Sequence, residues 1–148
     1  MTDTKHPWLR DPLEDMLGYQ LRRASIATFV PLSEAFEALG LRATDAIIIR
    51  FVEANPGCNQ AEISRSLGVK RTNMVPIVSG LVDAGLIDRM VADGRTHALY
   101  LTDKGADVHR RIAAATLEND RHFFGDLDDA TRATLRRVLL AIRAKAGG

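Results

Sequence analysis

Lys70, Arg71, Thr72 and Asn73 follow one another directly, and few core-building reasons exist for such a cluster. The two cations are donors for phosphate or guanine, the threonine brings a hydroxyl and a methyl that can touch thymine, and the asparagine amide can bond adenine through two atoms at once. The plain alternative is a solvated helix start in which Thr72 or Asn73 caps its own backbone. Between Asn59 and Gly80 the only acid is Glu62, set against Arg65, Lys70 and Arg71. This stretch is basic inside a chain whose 20 Lys and Arg nearly cancel its 19 Asp and Glu, for a formal charge of +1. A polyanion would have to be met by a local patch.

Other chemistry finds little support. The sequence has no GxSxG, GxGxxG, P-loop or HExxH pattern, so neither an enzyme nor a bound cofactor is expected. His6, His97, His109 and His122 do not cluster, and the one-turn pair Glu118 and His122 reads as solvated, so no metal site is expected. Cys58 is the single cysteine, cannot form an internal disulfide, and reads as a small, partly buried turn residue. One thiol fits a reducing compartment, and the cytoplasm is the expected location. Met1 to Pro7 lacks the basic and apolar regions of a signal peptide, and no apolar run approaches bilayer length, so a soluble protein without a membrane partner is expected.

The elements that must position the cluster follow from periodicity. With 148 residues, 46% hydrophobic and only 5% aromatic, the chain reads as one domain of helices packed through aliphatic side chains. Leu13, Leu17 and Leu21 begin a first helix that drifts through Phe29 and Phe36 to Gly40, with a bend expected near Val30 because Pro31 removes a backbone donor. Thr44 is the expected cap of a second helix from Asp45 to Ala54, stopped by Asn55-Pro56-Gly57. Asn59, with Glu62 three residues on, opens a third that ends at Gly68. Arg71 to Ala84 is the fourth, with Pro76 expected in its first turn. The stretches 86–91 and 97–101 form a hairpin, Thr102 caps a fifth helix to about Phe124, and Asp128 or Asp129 starts a sixth whose stripe is Leu135, Val138, Leu139 and Ile142. The expected fold is mainly α with a small β-hairpin wing, a winged helix-turn-helix over residues 41–105 flanked by dimerisation helices at 1–40 and 106–148.

Ala61-Glu62-Ile63-Ser64 with Leu67-Gly68-Val69, then 81–89, then Asp93-Gly94-Arg95 followed by Leu99-Tyr100-Leu101-Thr102-Asp103-Lys104-Gly105, resemble the MarR family of transcriptional regulators. The resemblance runs from about Leu17 to Ile142. It implies a homodimer through the first, fifth and sixth helices, bound to a pseudo-palindromic duplex. Lys70, Arg71, Thr72 and Asn73 would contact bases and phosphates, with Arg65 and Arg89 as backbone supports and His97 as a further phosphate contact. In the family the wing aspartate pins an arginine that enters the minor groove, and Asp93 and Arg95 match those positions. Gly94 stands where many relatives have a second arginine. The peroxide-sensing branch carries a cysteine in its first helix near tyrosines, and here Tyr19 has no such neighbour, so no redox sensor is expected.

One further feature concerns a ligand. Arg50 stands in the apolar run Ile47-Ile48-Ile49-Arg50-Phe51-Val52, and Arg22 lies close to Tyr19 and Ser25. A guanidinium beside so much apolar surface must reach water, pair with an acid or await an anion. Glu53 or Asp45 could serve Arg50, and a first-helix acid could serve Arg22. The resemblance implies repression relieved by an effector held near these residues, and an Arg fork beside isoleucines suits an aromatic carboxylate or its thioester. The competing expectations are a helical dimerisation module that binds protein, and a DNA binder without ligand response. Salt separates the first of these, since DNA affinity falls with a log–log slope of about −0.9 per phosphate neutralised.

Overall fold

The structure is a computed structural model that describes residues 10–146, so the readings made on Met1 to Pro7, His6 included, lie outside the described residues. Its order is α1 (Leu17–Glu37), α2 (Ala43–Ala54), α3 (Gln60–Leu67), α4 (Arg71–Asp83), β1 (Ile87–Asp93), β2 (Thr96–Leu101), α5 (Asp103–Phe124) and α6 (Asp129–Ala146). This is the expected helix, helix, helix, hairpin order, with one helix before it and two after.

The element ends follow local chemistry, with three corrections. Helix α1 begins at Leu17 and not at Leu13. The Leu13 N–H is taken by the Asp11 side chain at 2.9 Å, and Asp11-Pro12 holds a turn that competes with the helix. Helix α2 is capped not by Thr44 but by Asp45, whose carboxylate accepts from the Arg42 backbone N–H at 2.9 Å and from the Arg42 guanidinium at 3.3 Å. Pro76 is the sixth residue of α4, past the first turn, so the Thr72 carbonyl at its exposed end has no helical donor. Helix α1 runs unbroken across Pro31.

Where cap chemistry is strong the expectations hold. Asn59 Oδ1 accepts from the Glu62 N–H at 3.0 Å while Glu62 accepts from the Asn59 N–H at 2.8 Å, a reciprocal capping box. Gly68 then closes α3 at φ +65°, which lets the Val69 N–H reach back to the Ser64 carbonyl at 3.0 Å and turns the chain sharply into α4. Thr102 accepts from the Gly105 N–H at 2.9 Å to start α5, and Asp128 accepts from the Thr131 N–H at 2.7 Å to start α6.

The core lies between α2, α4 and the hairpin, closed below by α5. Ile48, Ile49, Val52, Ile63, Met74, Val78, Ile87, Leu99 and Ile112 are almost fully buried. The two strands pair antiparallel from Ile87 opposite Leu101 to Asp93 opposite Thr96, with an irregularity between Val91 and Asp93. The chain at Gly57-Cys58 adds a short third rung: the Gly57 N–H donates to the Leu99 carbonyl and the Leu99 N–H to the Cys58 carbonyl. At the other end of the hairpin the chain is pinned to α5. Thr102 Oγ1 donates to the Gly85 carbonyl at 2.6 Å, Lys104 Nζ donates to the Ala84 carbonyl at 2.9 Å, and the Thr102 N–H donates to the Leu86 carbonyl. A side chain at position 105 would collide with that Leu86 carbonyl, so glycine is required there.

Candidate nucleic-acid interface

Helix α4 begins at Arg71, with Lys70 as its cap residue, so the basic cluster occupies the first turn of the second helix of a helix-turn-helix. Lys70, Arg71, Thr72 and Asn73 are all exposed, and none of their side chains has a hydrogen-bond partner among the described residues. The alternative in which Thr72 or Asn73 caps the helix is therefore not adopted. Four free polar side chains radiate from a helix N-terminus, where the backbone dipole also favours a phosphate. Arg65, in the last turn of α3, is exposed on the preceding helix.

The wing carries the remaining candidates. Arg95 and Gly94 form the tip between β1 and β2, and His97 is exposed opposite Val91. Asp93 and Arg95 do not pair, so the pinning of the arginine that the resemblance implies is absent here. Arg89 is not a free support either. Its Nη2 donates to Ser79 Oγ at 3.2 Å and ties the root of the wing to α4. No sequence spacing announces that bond, because a strand and a helix must first pack to make it.

The ligand candidates divide. Tyr19 lies half-buried in α1 beneath the Arg23 guanidinium, 5.7 Å from the ring centroid, a cation–π contact. Arg22 is exposed and pairs with no first-helix acid among the described residues. Ser25 accepts at its carbonyl from Thr28 Oγ1 at 3.1 Å. Arg50 reaches neither Glu53 nor Asp45 but donates from Nη1 to Thr116 Oγ1 on α5 at 3.3 Å. Asp45 is held by Arg42, and Glu53 faces His109 at 3.9 Å. The structure thus brings Arg50 to α5 and leaves Tyr19, Arg22 and Ser25 on α1.

Cys58 lines an open cleft of about 520 Å³ with Phe51, Pro56 and Ile63. Burial, and then the nearby Glu62 carboxylate, push its thiol above the ordinary range, which keeps it protonated and poorly nucleophilic. Among the described residues no group of three or more His, Cys, Asp or Glu could hold a metal ion, and no helix is long and apolar enough to cross a membrane.

The sequence matches the MarR family over residues 39–96. It is 31% identical over 126 residues to a Thauera aromatica protein named as a transcriptional regulatory protein for the hcr operon, covering 83% of this chain and 76% of that one. The chain belongs to the MarR family. Its fold is shared with the transcriptional repressor CouR bound to a 23-mer DNA duplex, at 30% identity and a TM-score of 0.74, over 92% of this chain and 95% of that one. A Mycobacterium tuberculosis MarR family protein in complex with salicylic acid is 26% identical, with a TM-score of 0.65 over 85% of this chain and 95% of the other. This MarR protein is accordingly a transcriptional regulator, and its exposed first turn of α4 and its wing tip stand on the two elements by which a winged helix-turn-helix meets DNA.

Proposed function

We propose that this MarR protein is a cytoplasmic, non-enzymatic repressor that binds a pseudo-palindromic operator as a homodimer and releases it on binding an aromatic carboxylate or its thioester. Residues 1–148 then act as one domain, with residues 1–40 and 106–148 joining two copies and residues 41–105 reading DNA. The observation that carries this reading is the unpartnered set Lys70, Arg71, Thr72 and Asn73 at the start of α4, in a chain 30% identical to a repressor bound to duplex DNA. Arg65 supports from α3, Arg95 enters the minor groove, where narrow A·T tracts attract guanidinium groups, and His97 adds a phosphate contact. Arg89 serves by holding the wing to Ser79, and Asp93 closes on Arg95 once DNA fixes the tip. Two copies joined through Leu135, Val138, Leu139 and Ile142 place their recognition helices about 34 Å apart, one turn of B-DNA.

The effector reading rests on Arg50, an exposed residue that follows buried Ile48 and Ile49 in α2 and whose one hydrogen bond among the described residues is a 3.3 Å bond to a neutral hydroxyl. An aromatic carboxylate offers a stronger, charge-assisted partner. Tyr19, Arg22 and Ser25 complete the site from α1. The relative bound to salicylic acid supports this ligand class.

Fluorescence anisotropy on DNA from upstream of the gene tests both halves. Arg95→Ala is expected to weaken operator binding by about tenfold or more, ~1.4 kcal/mol, with unchanged thermal stability. Unchanged affinity would remove the wing from the interface. Arg50→Ala is expected to bind DNA as before and to require about tenfold more salicylate or p-coumarate for release, the worth of one charge-assisted bond. Release at the original concentration would make Arg50 a structural residue.

A further inference from the structure

The first turn of α4 offers polar side chains to DNA, whereas its second turn, Met74 to Ile77, is wholly apolar. Val75 is nevertheless 46% exposed, and Pro76 is exposed beside it. They stand three and four residues after Thr72, so Thr72, Val75 and Pro76 share one face of the helix. That face turns away from the core, since Met74, Val78 and Leu81 hold the buried side. The apolar patch is therefore continuous with the Lys70 to Asn73 cluster. One turn beyond Val75, Ser79 already accepts from Arg89 at 3.2 Å, and one turn beyond Pro76 the helix has only Gly80.

Packing within the chain does not call for these residues. Proline and glycine are the least favourable residues in a helix interior, and α4 holds one of each on this outer face. Gly80 lacks the positive φ that would require glycine, and a Cβ built there would meet no atom within 4 Å. Pro76 lies past the first turn, where its missing donor costs a helical bond, and its exposed ring adds nothing to the core. Such a narrow, smooth, apolar face weakens the helix on its own account and gains only against an apolar surface outside the chain.

We propose that Val75 and Pro76 read the 5-methyl group of thymine in the major groove, while Gly80 lets the helix lie close to the groove wall. The thymine methyl is the one apolar group that base edges present there. The other bases would set polar atoms against valine and proline, which can satisfy none of them. Two copies of the chain thereby demand a thymine in each half-site, opposite the second turn of α4. This inference rests on the operator reading above and assigns specificity to two residues outside its contact set.

Deoxyuridine pairs with adenine as thymidine does and lacks only the methyl, so the test compares the DNA from upstream of the gene made with either nucleoside. Wild type is expected to bind the thymidine duplex about fifteenfold more tightly, about fourfold for each of two methyls. Val75→Ser combined with Pro76→Ala should bring the ratio close to one by weakening binding to thymidine DNA alone. Either single variant should lower it to about fourfold and serves where the double does not fold. Arg95→Ala should keep the full ratio, because the minor groove holds no methyl. Pro76→Ala should also melt higher than wild type, since an exposed helix position regains its donor. Equal binding of the two duplexes by wild type would overturn the methyl reading and leave the operator reading standing, whereas binding to neither would overturn both. A ratio that persists in the double variant would assign the methyls to Thr72 or to duplex shape, one that vanishes in Arg95→Ala would assign them to the minor groove, and a lower melting temperature for Pro76→Ala would give the proline to the fold; each overturns the proposal.

Discussion

The reading head and the outer helices treat their apolar residues in opposite ways. In the head, Ile48, Ile49, Val52, Ile63, Met74 and Val78 are each at most 1% exposed. Helix α6 has 18 residues and buries none of them, although Leu135, Val138, Leu139, Leu140 and Ile142 lie along it. Of the 21 residues of α1 only Phe36, near its end, is buried, while Leu17, Ile26, Phe29 and Val30 are exposed. The head satisfies its hydrophobic surface within one chain. The outer helices leave theirs open, which soluble proteins tolerate over a large area chiefly at interaction surfaces.

This contrast can be broken most sharply in the head. Gly105→Ala is expected to cost about 3 kcal/mol, because its methyl would meet the Leu86 carbonyl at the junction of hairpin and α5 and backbone would have to move. Urea denaturation measures it, and a midpoint equal to wild type would mean that the junction yields freely. On the other side of the contrast, Leu139→Asp is expected to leave secondary structure intact and to weaken the proposed dimer by about 2 kcal/mol, roughly thirtyfold in dissociation constant. Light scattering across a dilution series reads that change. A monomeric wild type, or an unaffected dimer, would show that this stripe is not what joins two copies.

The smallest effect is a pH dependence at the start of α6. The Thr131 N–H bonds the Asp128 carboxylate and holds its pKa below the ordinary carboxylate value. A depressed folded pKa means that the cap is fully present above the ordinary value and is lost as pH falls through the lowered one. Fraying of α6 at acid pH, seen as faster amide exchange at Thr131, should therefore disappear in Asp128→Asn, which keeps an acceptor without a titrating group. Identical acid exchange in both proteins would assign the fraying elsewhere.

Much of the head was legible because its signals are local. Asn59, Glu62 and Gly68 set a helix start and stop within ten residues, and the place of Lys70 to Asn73 at the head of α4 follows from them. Thr44 misled because it is a common cap residue one position inside a helix that starts earlier, where Asp45 reaches back to Arg42. Arg89 and Ser79, Gly105 and Leu86, and Arg50 with Thr116 across 66 residues are tertiary partners. No periodicity encodes those pairs, since each exists only once two elements have packed. The wing pair Asp93 and Arg95 was legible as residue types and not as a contact.

The bonds from Thr102 and Lys104 into the end of α4, with the close seat of Gly105, fasten the head to the start of α5, and buried Ile112 with the Arg50–Thr116 bond seats it on the middle of that helix. The helix then acts as a shaft. Its 22 residues span about 33 Å, so a tilt of about 10° at the Gly125 end swings the head by roughly 6 Å. Base pairs follow each other every 3.4 Å or so along the duplex, and such a swing carries a recognition helix past nearly two of them. A tilt at the far end of α5, too slight to alter any contact inside the head, would by this geometry displace the recognition helix by more than one base-pair step.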